Sequence, residues 1–195
     1  MPINANKPDR WKADIARSVD FYNDWILHRA PHTFDGNLVE ARKVRQAQTQ
    51  WHLGLIQSWL TERGYDRLDV DTSAKLPEFP PGTFASRFTA SIQSSGGSHR
   101  DQAQADVVIK PQQSASDGLP TIVLTALFSS FGESFRRRKT EVNRISKLRS
   151  AHGNDISVVL ALWGYVDAGY LGCQAAEGVD WIWAHRLNDF VECGI

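Results

Sequence analysis

Asp106 is the residue whose type and position most clearly suggest chemistry. It is the acid within a largely apolar run, Ala105–Lys110 (ADVVIK), which has the character of a β-strand. Burying a carboxylate without a partner is costly, so an acid in such a run needs an explanation. Either Asp106 serves a functional site, or it faces solvent or caps a helix.

A second candidate is the basic stretch from Arg136 to Arg149, which contains seven basic residues and one acid, Glu141. Its densest part consists of Arg136, Arg137, Arg138 and Lys139. A basic face on a neutral protein can bind phosphate groups. A solvated helix face explains the same pattern, and both interpretations stay open.

The composition is that of an ordinary globular protein. The chain has 195 residues, 42% of them hydrophobic and 23% charged, and its net charge is zero. No apolar run reaches the roughly 18 residues that a membrane span needs, and MPINANKPDR lacks the apolar stretch of a secretory signal. The two cysteines, Cys173 and Cys193, suggest neither a disulfide framework nor a zinc site. We therefore expect a cytoplasmic protein with no membrane partner.

Hydrophobic periodicity predicts the secondary structure. Apolar residues at three- and four-residue steps predict helices over Asp9–Leu27, Leu38–Arg63 and Ser130–Ser150. Two-residue alternation and short apolar runs predict strands over Phe84–Ile92, Ala105–Lys110, Thr121–Leu127 and Ser157–Trp163. A final short helix is predicted over Asp180–Val191.

The proline-rich segment Leu76–Gly82 (LPEFPPG) divides these elements into two parts, because its three prolines prevent regular structure. We expect a helical N-terminal part over residues 1–75 and an α/β core over residues 76–195. The order of helices and strands predicts a mixed central sheet of about four strands flanked by helices.

Several stretches resemble the XamI family of type II restriction endonucleases, whose members have the PD-(D/E)xK nuclease fold. The most specific is Gly164–Asp189 (GYVDAGYLGCQAAEGVDWIWAHRLND), which is similar to the glycine- and aromatic-rich C-terminal signature of the family. Similarity also covers Ala105–Lys110, the Arg137–Lys139 cluster with Glu141, Lys7–Trp25 and Arg45–Tyr65.

The resemblance implies an endonuclease that cuts double-stranded DNA at a short palindromic site with Mg²⁺. Hard oxygen ligands suit this ion, and the resemblance makes Asp106 the metal ligand and a catalytic residue. The basic residues Arg136, Arg137, Arg138 and Lys139 would contact DNA phosphates. A palindromic site favours a homodimer, because a twofold protein matches a twofold site.

Two positions depart from the Glu-x-Lys motif that the family carries on the next strand. A register without gaps places Leu124 at the Glu position and Ala126 at the Lys position, and neither side chain can bind a metal or orient water. Glu133 or Glu141 on the following helix could supply the acid instead, and we take Glu141 as the candidate. The alternative is a shortened, catalytically inactive relative that is at most a DNA-binding module.

Overall fold

The structure is a computed structural model, and it describes residues 38–69, 79–93, 100–113, 118–128, 131–164, 166 and 168–195. The helix predicted over Asp9–Leu27 lies outside these residues. None of the helices in this part of the chain has the length and apolar character that a membrane crossing requires.

The described residues form three α-helices, six strands and one 3-10 helix. In chain order they are α1 (Leu38–Glu62), β1 (Asp66–Arg67), β2 (Thr83–Gln93), β3 (Arg100–Lys110), β4 (Thr121–Phe128), α2 (Phe131–His152), β5 (Ser157–Gly164), α3 (Ala168–Ala176), β6 (Asp180–Trp183) and a 3-10 helix (Leu187–Cys193).

The six strands form one mixed sheet in the order β1-β2-β3-β4-β5-β6. Antiparallel pairing joins β2 to β3 and β3 to β4. Parallel pairing joins β1 to β2, β4 to β5 and β5 to β6. Parallel neighbours need a crossover connection, which α2 provides between β4 and β5 and α3 between β5 and β6.

Helices cover both faces of the sheet. Ile122 and Leu124 of β4 belong to the same apolar cluster as Leu148 of α2. Val123, which lies between them, belongs to a second cluster with Ile56 of α1. Successive strand side chains point to opposite faces, so α2 and α1 lie on opposite sides of the sheet.

A left-handed glycine ends α1, as its position in the sequence predicts. Gly64 has a φ of +78°. Its backbone N–H donates to the Thr61 carbonyl at 3.0 Å, and the Tyr65 N–H donates to the Leu60 carbonyl at 3.1 Å. These two bonds make a Schellman motif, which satisfies carbonyls that the helix end leaves open.

The α/β class, the mixed sheet and the flanking helices are confirmed. β5 is buried along nearly its whole length and pairs on both sides, as predicted for a central strand. The helix predicted over Asp180–Val191 is wrong at its start, where Asp180–Trp183 forms β6 beside β5. The strands β1 and β6 and the helix α3 were not predicted.

Candidate active site

The candidate site lies where β3 and β4 diverge. The two strands pair only at Val107↔Val123, Val108↔Ile122 and Ile109↔Thr121. Asp106 is the residue of β3 that immediately precedes this short ladder in the chain. From there the β4 backbone no longer pairs with the β3 backbone, which leaves room for a side chain between them.

The Asp106 carboxylate fills this position and bonds to β4. One oxygen, Oδ2, accepts from the backbone N–H of Thr125 at 2.7 Å and from the Thr125 hydroxyl at 3.1 Å. The Asp106 side chain, rather than the β3 backbone, therefore accepts the hydrogen bond of the Thr125 backbone N–H beyond the end of the ladder.

The other Asp106 oxygen, Oδ1, forms an ion pair with Arg144 of α2. The Arg144 Nη2 atom lies 3.0 Å from Oδ1. The Arg144 Nε–H also donates to the Gln104 carbonyl of β3 at 2.6 Å. One guanidinium thus holds two points of β3, and both oxygens of the Asp106 carboxylate accept hydrogen bonds.

The neighbouring strand β2 is irregular at the same level. Arg87, which lies between the paired residues Ser86 and Phe88, has a φ of +57°, a region that residues other than glycine rarely adopt. Ala85 and Phe88 belong to one apolar cluster, although regular alternation would place them on opposite faces. The side chains of β2 therefore change from one face of the sheet to the other at Arg87. The Arg87 guanidinium donates a hydrogen bond to the Gln50 side chain.

The side chains of β3 change faces at the position that lies opposite Arg87. Ala105 and Val108 share one apolar cluster, whereas Val107 belongs to the cluster on the other face. The change of face falls at Asp106, opposite Arg87. Such irregularities in a strand pair re-aim side chains and are frequent next to active sites, and here the irregularity positions Asp106.

Leu124 and Ala126 are core residues. Their exposed fractions are 1% and 0%, and both lie in the apolar cluster beneath α2. The positions that the predicted register aligns with the Glu and Lys of the family motif therefore hold side chains of the core beside α2.

Glu141 is a buried acid of α2, with an exposed fraction of 7%. Its carboxylate accepts a hydrogen bond from the Tyr170 hydroxyl of α3. Arg144 follows Glu141 by three residues, so the two side chains project from the same side of α2. This arrangement ties Glu141 to α3 and Arg144 to β3.

The described part of the chain offers a Mg²⁺ ion few protein ligands near Asp106. Mg²⁺ demands near-octahedral oxygen coordination, and no group of three or more His, Cys, Asp or Glu side chains in the described part could hold a metal ion. Both Asp106 oxygens already accept bonds from Thr125 and Arg144. The prediction of a metal site at Asp106 is therefore not supported by the donor set present here.

The basic cluster is exposed where its side chains are described. Arg138 and Lys139 both lie on the solvent side of α2. The side chains of Arg136 and Arg137 lie outside the described residues. Arg149, at the other end of the basic stretch, is used internally, since it donates to the carbonyls of Glu177 and Gly178 at 2.7 and 3.0 Å.

Sequence reasoning missed Arg144 and Thr125. Arg144 was counted in the basic stretch without a role of its own, and its three-residue spacing from Glu141 was the available signal. Thr125 lies between the two departing motif positions. Its contact with Asp106 depends on where the β3–β4 ladder ends, which periodicity does not show.

The aromatic C-terminal segment forms core. Trp163, Trp181 and Trp183 have exposed fractions of 1–2%. Trp163 also packs against His52 of α1, with ring centroids 3.9 Å apart, and burial lowers the pKa of the His52 imidazole to about 4. Cys173 and Cys193 are free thiols.

A family model for the XamI restriction endonuclease matches residues 38–183, from the first residue of α1 to the last residue of β6. The chain belongs to the XamI restriction endonuclease family. The match includes the diverging strands, Asp106, Arg144 and the aromatic segment, so the family resemblance is confirmed over residues 38–183. The similarity described at Lys7–Trp25 lies outside this match. Type II restriction endonucleases act on DNA and generally use Mg²⁺.

A curated relative supports the same family. The chain is 38% identical over 151 residues to the type II restriction enzyme SalI of Streptomyces albus G, an alignment that covers 77% of this chain and 47% of the relative. The chain thus spans about half the length of the curated relative that it matches.

Among solved structures, protein VC1899 from Vibrio cholerae aligns with a TM-score of 0.44 and 11% identity, covering 75% of this chain and 33% of the other. At this TM-score the likeness supports no conclusion about this chain.

Proposed function

We propose that this chain acts on double-stranded DNA as a type II restriction endonuclease of the XamI family. Its reaction is the hydrolysis of phosphodiester bonds at a short palindromic site, and its working form is a homodimer. The observation that carries the proposal is the family match over residues 38–183. It is supported by the partly buried acid Asp106 at the divergence of two strands.

In this proposal Asp106 and Glu141 are the acids of the cleavage site. Asp106 is supported by its position where the β3–β4 ladder ends and by its partial exposure. Glu141 is supported by its burial on α2, the helix that also supplies Arg144 to Asp106.

The exposed basic cluster contacts the DNA backbone in the same proposal. Arg138 and Lys139 are free to reach phosphates because both side chains are exposed. Arg136 and Arg137 precede them on α2 and complete the cluster. Such contacts contribute affinity and orientation but no reading of sequence.

Mg²⁺ is the cofactor expected from the family. In enzymes that use it for this chemistry, the ion polarises the phosphoryl oxygen and lowers the pKa of the attacking water. The donor set around Asp106 does not match this requirement, and we assign no step of the reaction to the ion.

DNA binding without cleavage is the second candidate function. The observation that favours it is the state of the motif: both Asp106 oxygens accept bonds from Thr125 and Arg144, and Leu124 and Ala126 are core residues. Cleavage and binding differ only in the fate of the phosphodiester bond, so one assay separates them.

The test is cleavage of supercoiled plasmid by the full chain in Mg²⁺, with Asp106→Ala and Asp155→Ala compared. Asp155 is an exposed acid in the turn before β5 and serves as the matched control. Discrete fragments that disappear with Asp106→Ala but persist with Asp155→Ala support cleavage at this site. Intact plasmid together with a salt-sensitive gel shift supports the binding function, and neither cutting nor a shift contradicts both.

A further inference from the structure

We propose that the Arg144 guanidinium balances the charge of the Asp106 carboxylate in place of a metal ion. The site then binds DNA phosphate without a divalent cation. The inference rests on the proposed function for its ligand, DNA. It goes beyond that function by naming a phosphate-binding residue and the cation requirement of the site.

The first step is the occupation of Asp106, whose oxygens accept three hydrogen bonds of the roughly four that a carboxylate can take. Oδ1 is 3.0 Å from the Arg144 Nη2 atom, and Oδ2 accepts two hydrogen bonds from Thr125. A divalent cation at this carboxylate would have to displace Arg144 or break the bond to the β4 backbone. It would then find few oxygen ligands, because no metal-holding group of acidic, histidine or cysteine side chains exists in the described part.

The second step is the permanence of the charge. A guanidinium stays protonated at all ordinary pH values, and a charge-assisted bond to a carboxylate is among the stronger hydrogen bonds in proteins. The pair is partly shielded from water, with side-chain exposures of 25% for Arg144 and 21% for Asp106. Arg144 therefore neutralises Asp106 without an ion from solution.

The third step is the anchoring of the guanidinium. Its Nε–H donates to the Gln104 carbonyl at 2.6 Å, in addition to the bond from Nη2 to Asp106. Two bonds to the same strand fix the plane of the group, so its orientation exists before any ligand arrives. A preorganised donor loses less conformational freedom on binding than a flexible one.

The fourth step is the capacity that remains. A guanidinium has five N–H donors, and within the described residues Arg144 uses only Nε–H and a donor of Nη2. The other donors and the partial exposure of the side chain leave a face that can bind a phosphate oxygen. Because Arg144 balances the charge of Asp106, the pair as a whole presents no net negative charge to an approaching phosphate.

The experiment measures the affinity of the full chain for a duplex DNA fragment mixture in EDTA and in Ca²⁺, by gel shift. We expect equal affinity in the two buffers. Arg144→Met keeps the apolar stem but lowers the affinity about tenfold in both, the size of one lost charge-assisted contact. Asp106→Asn strengthens binding in both buffers, because it leaves the positive charge of Arg144 unbalanced beside the phosphate. Arg67→Met, at an exposed arginine of β1, is the control for lost positive charge.

Binding that requires Ca²⁺, and that no longer requires it in Asp106→Asn, would overturn the inference.

A thermal melt with Mg²⁺ alone keeps the inference separate from the proposed function. We expect Mg²⁺ to leave the melting temperatures of wild type and Asp106→Asn unchanged, whereas stabilisation of the wild type alone overturns the inference. Absence of any DNA binding contradicts the proposed function and the phosphate-binding role of Arg144 together, while the melt still decides the cation question. If Arg144→Met does not fold, Arg144→Lys retains the charge and is expected to keep binding independent of Ca²⁺.

Discussion

The Tyr170 hydroxyl donates a hydrogen bond to the Glu141 carboxylate, and this bond joins a buried acid of α2 to α3. Both residues are nearly inaccessible to water, with exposed fractions of 3% for Tyr170 and 7% for Glu141. A buried carboxylate depends on its hydrogen-bond donors, since it has lost its contacts with water. The pair therefore stabilises the packing of α3 against α2.

Tyr170→Phe should destabilise the fold, because it removes a donor to a buried charge while preserving the aromatic ring. We expect a loss of about 1–3 kcal/mol in the free energy of unfolding, measured by urea denaturation. Glu177→Gln, at an exposed acid just after α3, is the control and should change little. Equal stability of Tyr170→Phe and wild type would show that Glu141 does not rely on this hydroxyl.

Acidification should destabilise the protein through His52. The pKa of this buried imidazole is lowered to about 4 from an ordinary 6.5, so the unfolded chain takes up a proton in this range before the folded one does. Stability from the neutral imidazole is present above the ordinary pKa and is lost as the pH falls through about 4, by about 3 kcal/mol in all.

The measurement is urea unfolding at about pH 7 and about pH 4.5, for wild type and His52→Gln. The variant should lose much of the pH dependence. A smaller part should remain, because burial lowers the pKa of His152 in the same direction. His152→Gln should lose only that smaller part. An undiminished slope in His52→Gln would assign the acid sensitivity to other groups.

Restoring the family motif should unfold the protein rather than create a metal site. The double variant Leu124→Glu, Ala126→Lys places two charged groups at positions with exposed fractions of 1% and 0%. Burying such groups should cost more than about 3 kcal/mol, visible as a large drop in the melting temperature. Leu124→Met is the matched control and should cost less than about 1.5 kcal/mol. A folded double variant that gains Mg²⁺-dependent stability would show that the site tolerates the motif.

Removing the exposed basic side chains should weaken DNA binding uniformly across sequences. For Arg138→Ala, Lys139→Ala we expect the slope of log affinity against log salt concentration to decrease by about 2, because each phosphate contact releases about one counterion. Arg67→Ala on β1 is the control for a surface charge far along the chain from the cluster. An unchanged salt slope in the double variant would mean that α2 presents only a solvated face.

Much of the architecture was predictable because it depends on local periodicity. The alternation in Phe84–Ile92 and the apolar runs at Thr121–Leu127 and Ser157–Trp163 placed three strands within one or two residues of their observed bounds. Gly64 predicted the end of α1 because a left-handed residue there closes the helix. These signals are carried by neighbouring residues and need no knowledge of the rest of the chain.

β6 was not predictable in the same way. Asp180–Trp183 has four residues, three of them apolar, and periodicity over so short a run does not distinguish a strand from a helix. The backbone of β5 decides the outcome, because its open edge offers hydrogen-bond partners to Asp180–Trp183. Propensity in a short segment yields to such a partner.

The sequence by itself marked Asp106 as unusual, and its resemblance to the family predicted that Leu124 and Ala126 occupy the Glu and Lys positions of the motif. Only the tertiary structure decided which group balances the charge of Asp106. Arg144 is 38 residues away in the chain, and it reaches the carboxylate because α2 packs across the sheet where β3 and β4 separate. An ion pair between residues that are distant in the chain depends on helix packing and strand register. The local pattern of side chains predicts neither of these.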